Sequence, residues 1–208
     1  MTWLGSETTG LFHVCDFSNL VANWLPIEIG LLTLTIIPLE IGREGSWRME
    51  VVEELEKLLA DVPALHNQLI LLIGPPGSGK TAALLGLAKR LGGSNSDVML
   101  LNVGSALGTR LATVPGKARS LEATHLLREM ADEHSRNSVL LLDNIELLFD
   151  RHLRLDPLDL LKRQAQSRPV VAAWSGALHD GRLTYAHMGH PEYQDYAAIG
   201  LVHLQIDA

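Results

Sequence analysis

From residue 49 onward the chain alternates short unbroken apolar runs with longer segments of helical period. The runs Leu69-Ile70-Leu71-Leu72-Ile73 and Val139-Leu140-Leu141-Leu142 contain no polar position. A strand reads this way when helices cover both faces of a parallel sheet, because neither side alternates toward water. The stretches Asp97–Val103 and Arg168–Ser175, and a last one over Ile199–Ile206, read as further strands. Between them the period changes. Val51, Val52, Leu55, Leu58 and Leu59 recur at helical spacing, as do the apolar residues of Ala82–Leu91. A third helix is expected from about Arg119 to His134, with Leu121, Leu126, Leu127, Met130 and Ala131 on one face. A fourth is expected near Pro157 to Gln166, with Leu158, Leu160 and Leu161 apolar, and residues 104–118 read as a polar loop. Strands alternating with helices predict an α/β fold, a three-layer sandwich around five mainly parallel strands.

Residues 1–48 lack this regularity. The stretch from Leu20 to Leu39 is apolar enough to raise a membrane span, which needs roughly 20 predominantly apolar residues. Pro26, Glu28 and Pro38 interrupt it, and Ile29–Ile37 alone is too short. No Lys or Arg precedes Arg43, so the basic start of a secretory signal is missing. The segment is expected to be an extension ahead of a domain covering residues 49–208, with the natural start near Met49.

The candidate chemistry sits at the end of the first strand. Gly74-Pro75-Pro76-Gly77-Ser78-Gly79-Lys80-Thr81 fulfils G-x-x-x-x-G-K-[ST] and is followed by a helix opening at Ala82. Glycines let the backbone wrap a phosphate chain, with successive N–H groups and the helix N-terminus turned toward the anion. Lys80 is expected to meet the β- and γ-phosphates, and the Thr81 hydroxyl to hold Mg²⁺. The run ending in Asp143 follows about sixty residues later, and that carboxylate is expected beside Thr81 to orient the Mg²⁺ shell. These residues imply binding of ATP and Mg²⁺ by a P-loop NTPase. One strand lies between the two motif-bearing strands, which points to the AAA+/RecA-like division.

That division usually places a glutamate after the aspartate. Here the position is Asn144, which can orient a water but cannot act as a general base. Glu146 either reaches the site from the turn after the strand or is a surface charge or helix cap. Ser175, at the end of its strand, is either a sensor for the γ-phosphate or a plain turn before Gly176. Slow or partner-completed hydrolysis is the expectation. Arg110, Arg151, Arg154, Arg163 and Arg168 are all candidates for an arginine that reaches a neighbour's γ-phosphate, which would require an oligomer. With so few residues after Ser175, the helical lid domain of standard AAA+ proteins is not expected.

Composition narrows the partners. A formal charge of −7 argues against strong intrinsic nucleic-acid binding, since neutralising phosphates needs a basic surface. The single cysteine, Cys15, excludes an internal disulfide and cysteine zinc clusters, and fits a cytoplasmic location. His179, His187 and His190, near Asp180 and Glu192, match no zinc spacing and read as part of a loop or partner surface.

GPPGSGKT (74–81), LLLDNIELLFD (140–150), DPLDLLK (156–162), VVAAWSG (170–176) and LTYAHMGHPEYQDY (183–196) together resemble the BrxF family, the small P-loop proteins of type 3 BREX (bacteriophage exclusion) systems. The likeness covers about residues 49–200. The family commonly carries Asn where this chain has Ser175, and begins close to Met49. The resemblance implies a part in defence against phage, as an ATP-dependent assembly or regulatory switch docking on other BREX proteins. Two other readings stand beside it. One is a nucleotide-dependent scaffold without hydrolysis. The other is a small-molecule kinase, disfavoured because Arg182 is the only arginine between Leu178 and Ala198.

Overall fold

The computed structural model describes residues 46–64, 67–93, 98–133 and 138–206; the expected N-terminal extension lies outside them up to residue 45. Five parallel strands form the sheet, in the order β2-β3-β4-β1-β7. They are β1 (Leu69–Gly74), β2 (Val98–Asn102), β3 (Val139–Asp143), β4 (Val170–His179) and β7 (Val202–Gln205). The strand separating β1 from β3 in space is therefore β4. β2, which intervenes in sequence, lies at the edge beyond β3.

Alternation along β1 assigns the two faces. Leu69, Leu71 and Ile73 pack on one side with residues of α3 (Val103–Ala112), α4 (Arg119–Asp132) and α5 (Pro157–Gln164). Ile70 and Leu72 pack on the other with Val51, Val52 and Leu55 of α1 (Ser46–Asp61) and Leu84 and Leu87 of α2 (Lys80–Gly92). Every residue of β1 is buried. Each Leu or Ile so covered stabilises the fold by about 1.5–3 kcal/mol relative to exposure. The three-layer sandwich is the expected one.

Several local expectations are corrected. Residues 103–112 are a helix rather than a polar loop: Val103, Leu107 and Leu111 face the core, and the Asn102 side chain caps it by accepting from the Ser105 N–H at 3.0 Å. In α4 the buried residues are Ala123, Leu127, Met130 and Ala131, whereas Leu121 is 80% exposed. The last strand starts at Val202, after a turn in which Gly200 has φ +72° and Ile199 is exposed.

The largest correction lies at the end of β4. The strand runs past Ser175 to His179, turns at Asp180 (φ 49°) and Gly181 (φ 71°), and returns as β5 (Arg182–Tyr185). Two successive left-handed residues are what a tight hairpin turn demands, and Asp-Gly supplies them. β6 (Gln194–Ala197) adds a third antiparallel strand. Residues 178–198 are thus a β-meander growing out of the sheet. Among the described residues after Ser175 there is no helix. No helix among the described residues is long and apolar enough to cross a membrane.

Candidate nucleotide site

The carboxyl ends of β1 and β3 and the middle of β4 converge with the N-terminus of α2 around a cavity of about 460 Å³. Gly77 (φ 83°) and Gly79 (φ 90°) hold the left-handed conformations that curl the loop into α2. Any side chain at these positions would be strained. Gly74 is constrained by space instead, since a Cβ there would lie 2.6 Å from the Ile206 carbonyl oxygen.

Lys80 is buried and its Nζ donates to the Gly74 carbonyl at 2.8 Å and the Pro75 carbonyl at 2.7 Å. Burial pushes its pKa below the usual lysine value, while the Glu146 and Asp143 carboxylates pull it back up. Across the cavity the Thr81 hydroxyl donates to Asp143 Oδ1 at 3.2 Å. A hydroxyl at a helix start facing a buried carboxylate offers two oxygen ligands of the kind Mg²⁺ takes. The buried ammonium and the loop N–H groups suit a polyphosphate. The residues present therefore fit a nucleoside triphosphate with a divalent ion.

Of the residues expected from sequence, Pro76, Gly77, Gly79, Lys80, Thr81, Ala82, Asp143, Asn144, Glu146 and Ser175 all line the cavity. Gly74, Pro75 and Ser78 do not line it but accept from Lys80. Leu85 and Ala173 also line it and carried no sequence signal beyond their apolar character. Asn144 adopts φ 51°, ψ 52°, the left-handed region that Asn tolerates better than most residues. Its carbonyl accepts from the Gly104 N–H at 2.9 Å. The turn then continues as a 3-10 helix, Ile145–Phe149, which brings Glu146 back toward β4. There Glu146 Oε1 accepts from the Ser175 hydroxyl at 2.5 Å. Glu146 therefore faces the site, and Ser175 lies within the strand rather than in a turn.

None of the candidate arginines lines this cavity. Arg168 is 2% exposed and donates to the Ala131 carbonyl and to Asp132, so it is a core residue and cannot reach a neighbour. Arg110 pairs with Glu129 and Glu133, and Arg163 with Asp159. Arg151 and Arg154 are exposed, with no ion pair among the described residues. The rings of His187 and His190 stand 5.6 Å apart, and no group of three metal-ligating side chains occurs among the described residues.

The sheet order and this site define a P-loop NTPase fold of the AAA+/RecA-like division. The family described as "ATPase family associated with various cellular activities (AAA)" matches residues 70–170, from the first core strand to the start of β4. That match supports a nucleotide-binding site of the ATPase type. Similar solved structures include PCH-2 of C. elegans, at 21% identity over 66% of this chain and 40% of that one, with a TM-score of 0.40. AMPPCP-bound DnaA from Aquifex aeolicus matches at 16% identity over 81% of this chain and 48% of that one, TM-score 0.44. Drosophila ORC bound to DNA matches at 18% identity over 78% and 43%, TM-score 0.44. The chain spans less than half the length of each of these. No curated protein matches it.

Proposed function

We propose that this chain is an ATP-binding, ATP-hydrolysing component of a BREX antiphage defence system, working as an assembly or regulatory switch. The observation that carries the enzymatic part is the meeting of Lys80, Thr81, Asp143 and Glu146 in one cavity. The BREX part rests on the motif resemblance over residues 49–200. When bound, ATP with Mg²⁺ would supply a γ-phosphoryl group activated for transfer to water. Lys80 and the N–H groups of 77–81 would hold the phosphates, and Thr81 and Asp143 the ion. Glu146 is the carboxylate placed to take a proton, and Asn144 and Ser175 can orient a water. Assembly with other BREX proteins or with further copies of this chain is part of the same proposal.

A second reading, a nucleotide-dependent scaffold, is favoured by one observation: the position next to Asp143 is a left-handed asparagine. Phosphate release by the full chain, alone and with co-purified partners, separates the two. Turnover lost in Lys80→Ala and in Glu146→Gln supports the enzyme. ATP binding lost in Lys80→Ala, with no turnover under any condition, supports the scaffold. Genes for an adenine methyltransferase and a large ATPase beside this one would support the BREX assignment, and a biosynthetic operon would overturn it.

A further inference from the structure

The β5–β6 meander touches the same short helix that carries Glu146. Glu146 and Phe149 are three residues apart in the 3-10 helix Ile145–Phe149, where side chains at that spacing eclipse on one face. The Phe149 ring is buried and stacks on Tyr185 of β5, with centroids 3.5 Å apart and planes 15° apart. Trp174 of β4 also meets it, edge-on at 5.1 Å and 83°. Trp174 is itself pinned to the meander, since its Nε1 donates to the Thr184 carbonyl at 2.9 Å. Tyr185 stands opposite Gly176 in the antiparallel register, one residue from the Ser175 that donates to Glu146. The approach is close enough that a Cβ on Gly176 would lie 1.9 Å from the Thr184 carbonyl oxygen. The turn bearing the carboxylate is thus gripped from two sides, by a hydroxyl of β4 and by an aromatic stack from β5.

We propose that Tyr185 is a positioning residue for Glu146: by stacking on Phe149 it fixes the turn that holds the carboxylate in the cavity, and through it the β5–β6 meander sets the rate of hydrolysis. The inference rests on the ATPase reading above. Tyr185 reaches no phosphate-binding residue directly, so its loss should leave nucleotide binding in place. Its hydroxyl makes no hydrogen bond among the described residues, and the ring alone carries the effect. The environment agrees, because burial and the Glu192 and Glu146 carboxylates push the phenol pKa up to about 12 and keep it neutral.

The test uses the full chain with Tyr185→Phe, Tyr185→Leu and Tyr185→Ala. Three quantities are read: kcat, the Kd for a fluorescent ATP analogue, and amide exchange of residues 144–150 with a non-hydrolysable ATP analogue bound. Tyr185→Phe is expected within twofold of the parent in all three. Tyr185→Leu keeps an apolar side chain without the flat stack, and guards against an alanine variant that fails to fold. It should lower kcat about tenfold, one 1.4 kcal/mol step in barrier, with Kd within twofold. Exchange at 144–150 should rise, with no change at 74–81. An unchanged kcat in Tyr185→Leu, or equal losses of kcat and affinity, would overturn the proposal. If the parent binds ATP without turnover, the ATPase reading fails, and the exchange at 144–150 alone decides whether Tyr185 holds the turn.

Discussion

Arg168→Met tests whether a buried cation holds the sheet to the helix layer. Its Nη1 donates to the Ala131 carbonyl at 2.6 Å and its Nη2 to Asp132 Oδ1 at 3.0 Å, tying the last turn of α4 to the residue that leads into β4. Methionine keeps the apolar stem and its packing. What it removes includes the donor to a buried carbonyl and the positive charge at a helix C-terminus. A hydrogen bond from a charged group is worth about 1.5–3 kcal/mol. The Asp132 carboxylate is 38% exposed and keeps its pair with Arg128, so losing Arg168 there adds at most about 1 kcal/mol. Relief of the guanidinium's own desolvation offsets part of the loss, leaving a net destabilisation of about 2 kcal/mol. With a urea dependence of about 2 kcal/mol/M, the unfolding midpoint should fall by about 1 M at unchanged slope. Arg168→Lys should recover less than half of this, because one ammonium cannot serve a carbonyl and a carboxylate in the forked geometry. A midpoint shift below about 0.3 M would refute this reasoning. Lost ATP turnover with an unmoved midpoint would instead return Arg168 to the functional residues.

Three further outcomes are expected. Gly176→Ala places a Cβ against a fixed carbonyl at 1.9 Å and should cost about 3 kcal/mol, the upper part of the range for overpacking; limited proteolysis should then cut within residues 178–198, and an intact meander would contradict this. Asn144→Gly should unfold at the parent's temperature, whereas Asn144→Val should lose about 1–2 kcal/mol at φ 51°, so equal melting temperatures for the two variants would count against the left-handed turn. Tyr185 keeps its proton to about pH 12 in the folded chain, while an unfolded tyrosine releases it near about 10. The folded state therefore holds more protons in that window, and stability should fall as pH rises from about 10 to 12. Denaturation midpoints between pH 9 and 11.5 measure this; Tyr185→Phe should lessen the decline, and Tyr196, whose phenol burial and Asp156 also push up, carries a further part of it.

What could be read from the sequence follows from how each element is encoded. β1, β3 and their loops were legible because burial on both faces forces uninterrupted apolar runs, and because the glycine loop tolerates few substitutes at Gly77 and Gly79. α3 escaped because Gly104 and Gly108 depress helix propensity. Gly104 is there for a tertiary reason: a Cβ would lie 3.1 Å from the Asn144 carbonyl oxygen. Leu121 shows the opposite failure, an apolar residue at the right spacing that tertiary packing leaves in water. The meander was readable in part, since Asp180-Gly181 between Leu178 and Leu183 is a hairpin signal. The histidines around it drew the reading toward a loop. The role of Glu146 was not decidable from spacing, because only the left-handed Asn144 and the tight 3-10 turn return it to the cavity.

The grip of the loop on Lys80 has a thermodynamic consequence. Its ammonium already satisfies two carbonyls, at 2.8 and 2.7 Å, so the loop carries its own internal ligand. On the role proposed for Lys80, capturing a phosphate would be an exchange, in which the ammonium leaves those carbonyls as it gains the anion. The affinity would then be the small difference between two strong sets of charge-assisted bonds. Anything that weakens the carbonyl side would tighten nucleotide binding without touching the nucleotide. Backbone shifts at Gly74, which pairs with Ser175 across β1 and β4, are the most direct way to do so.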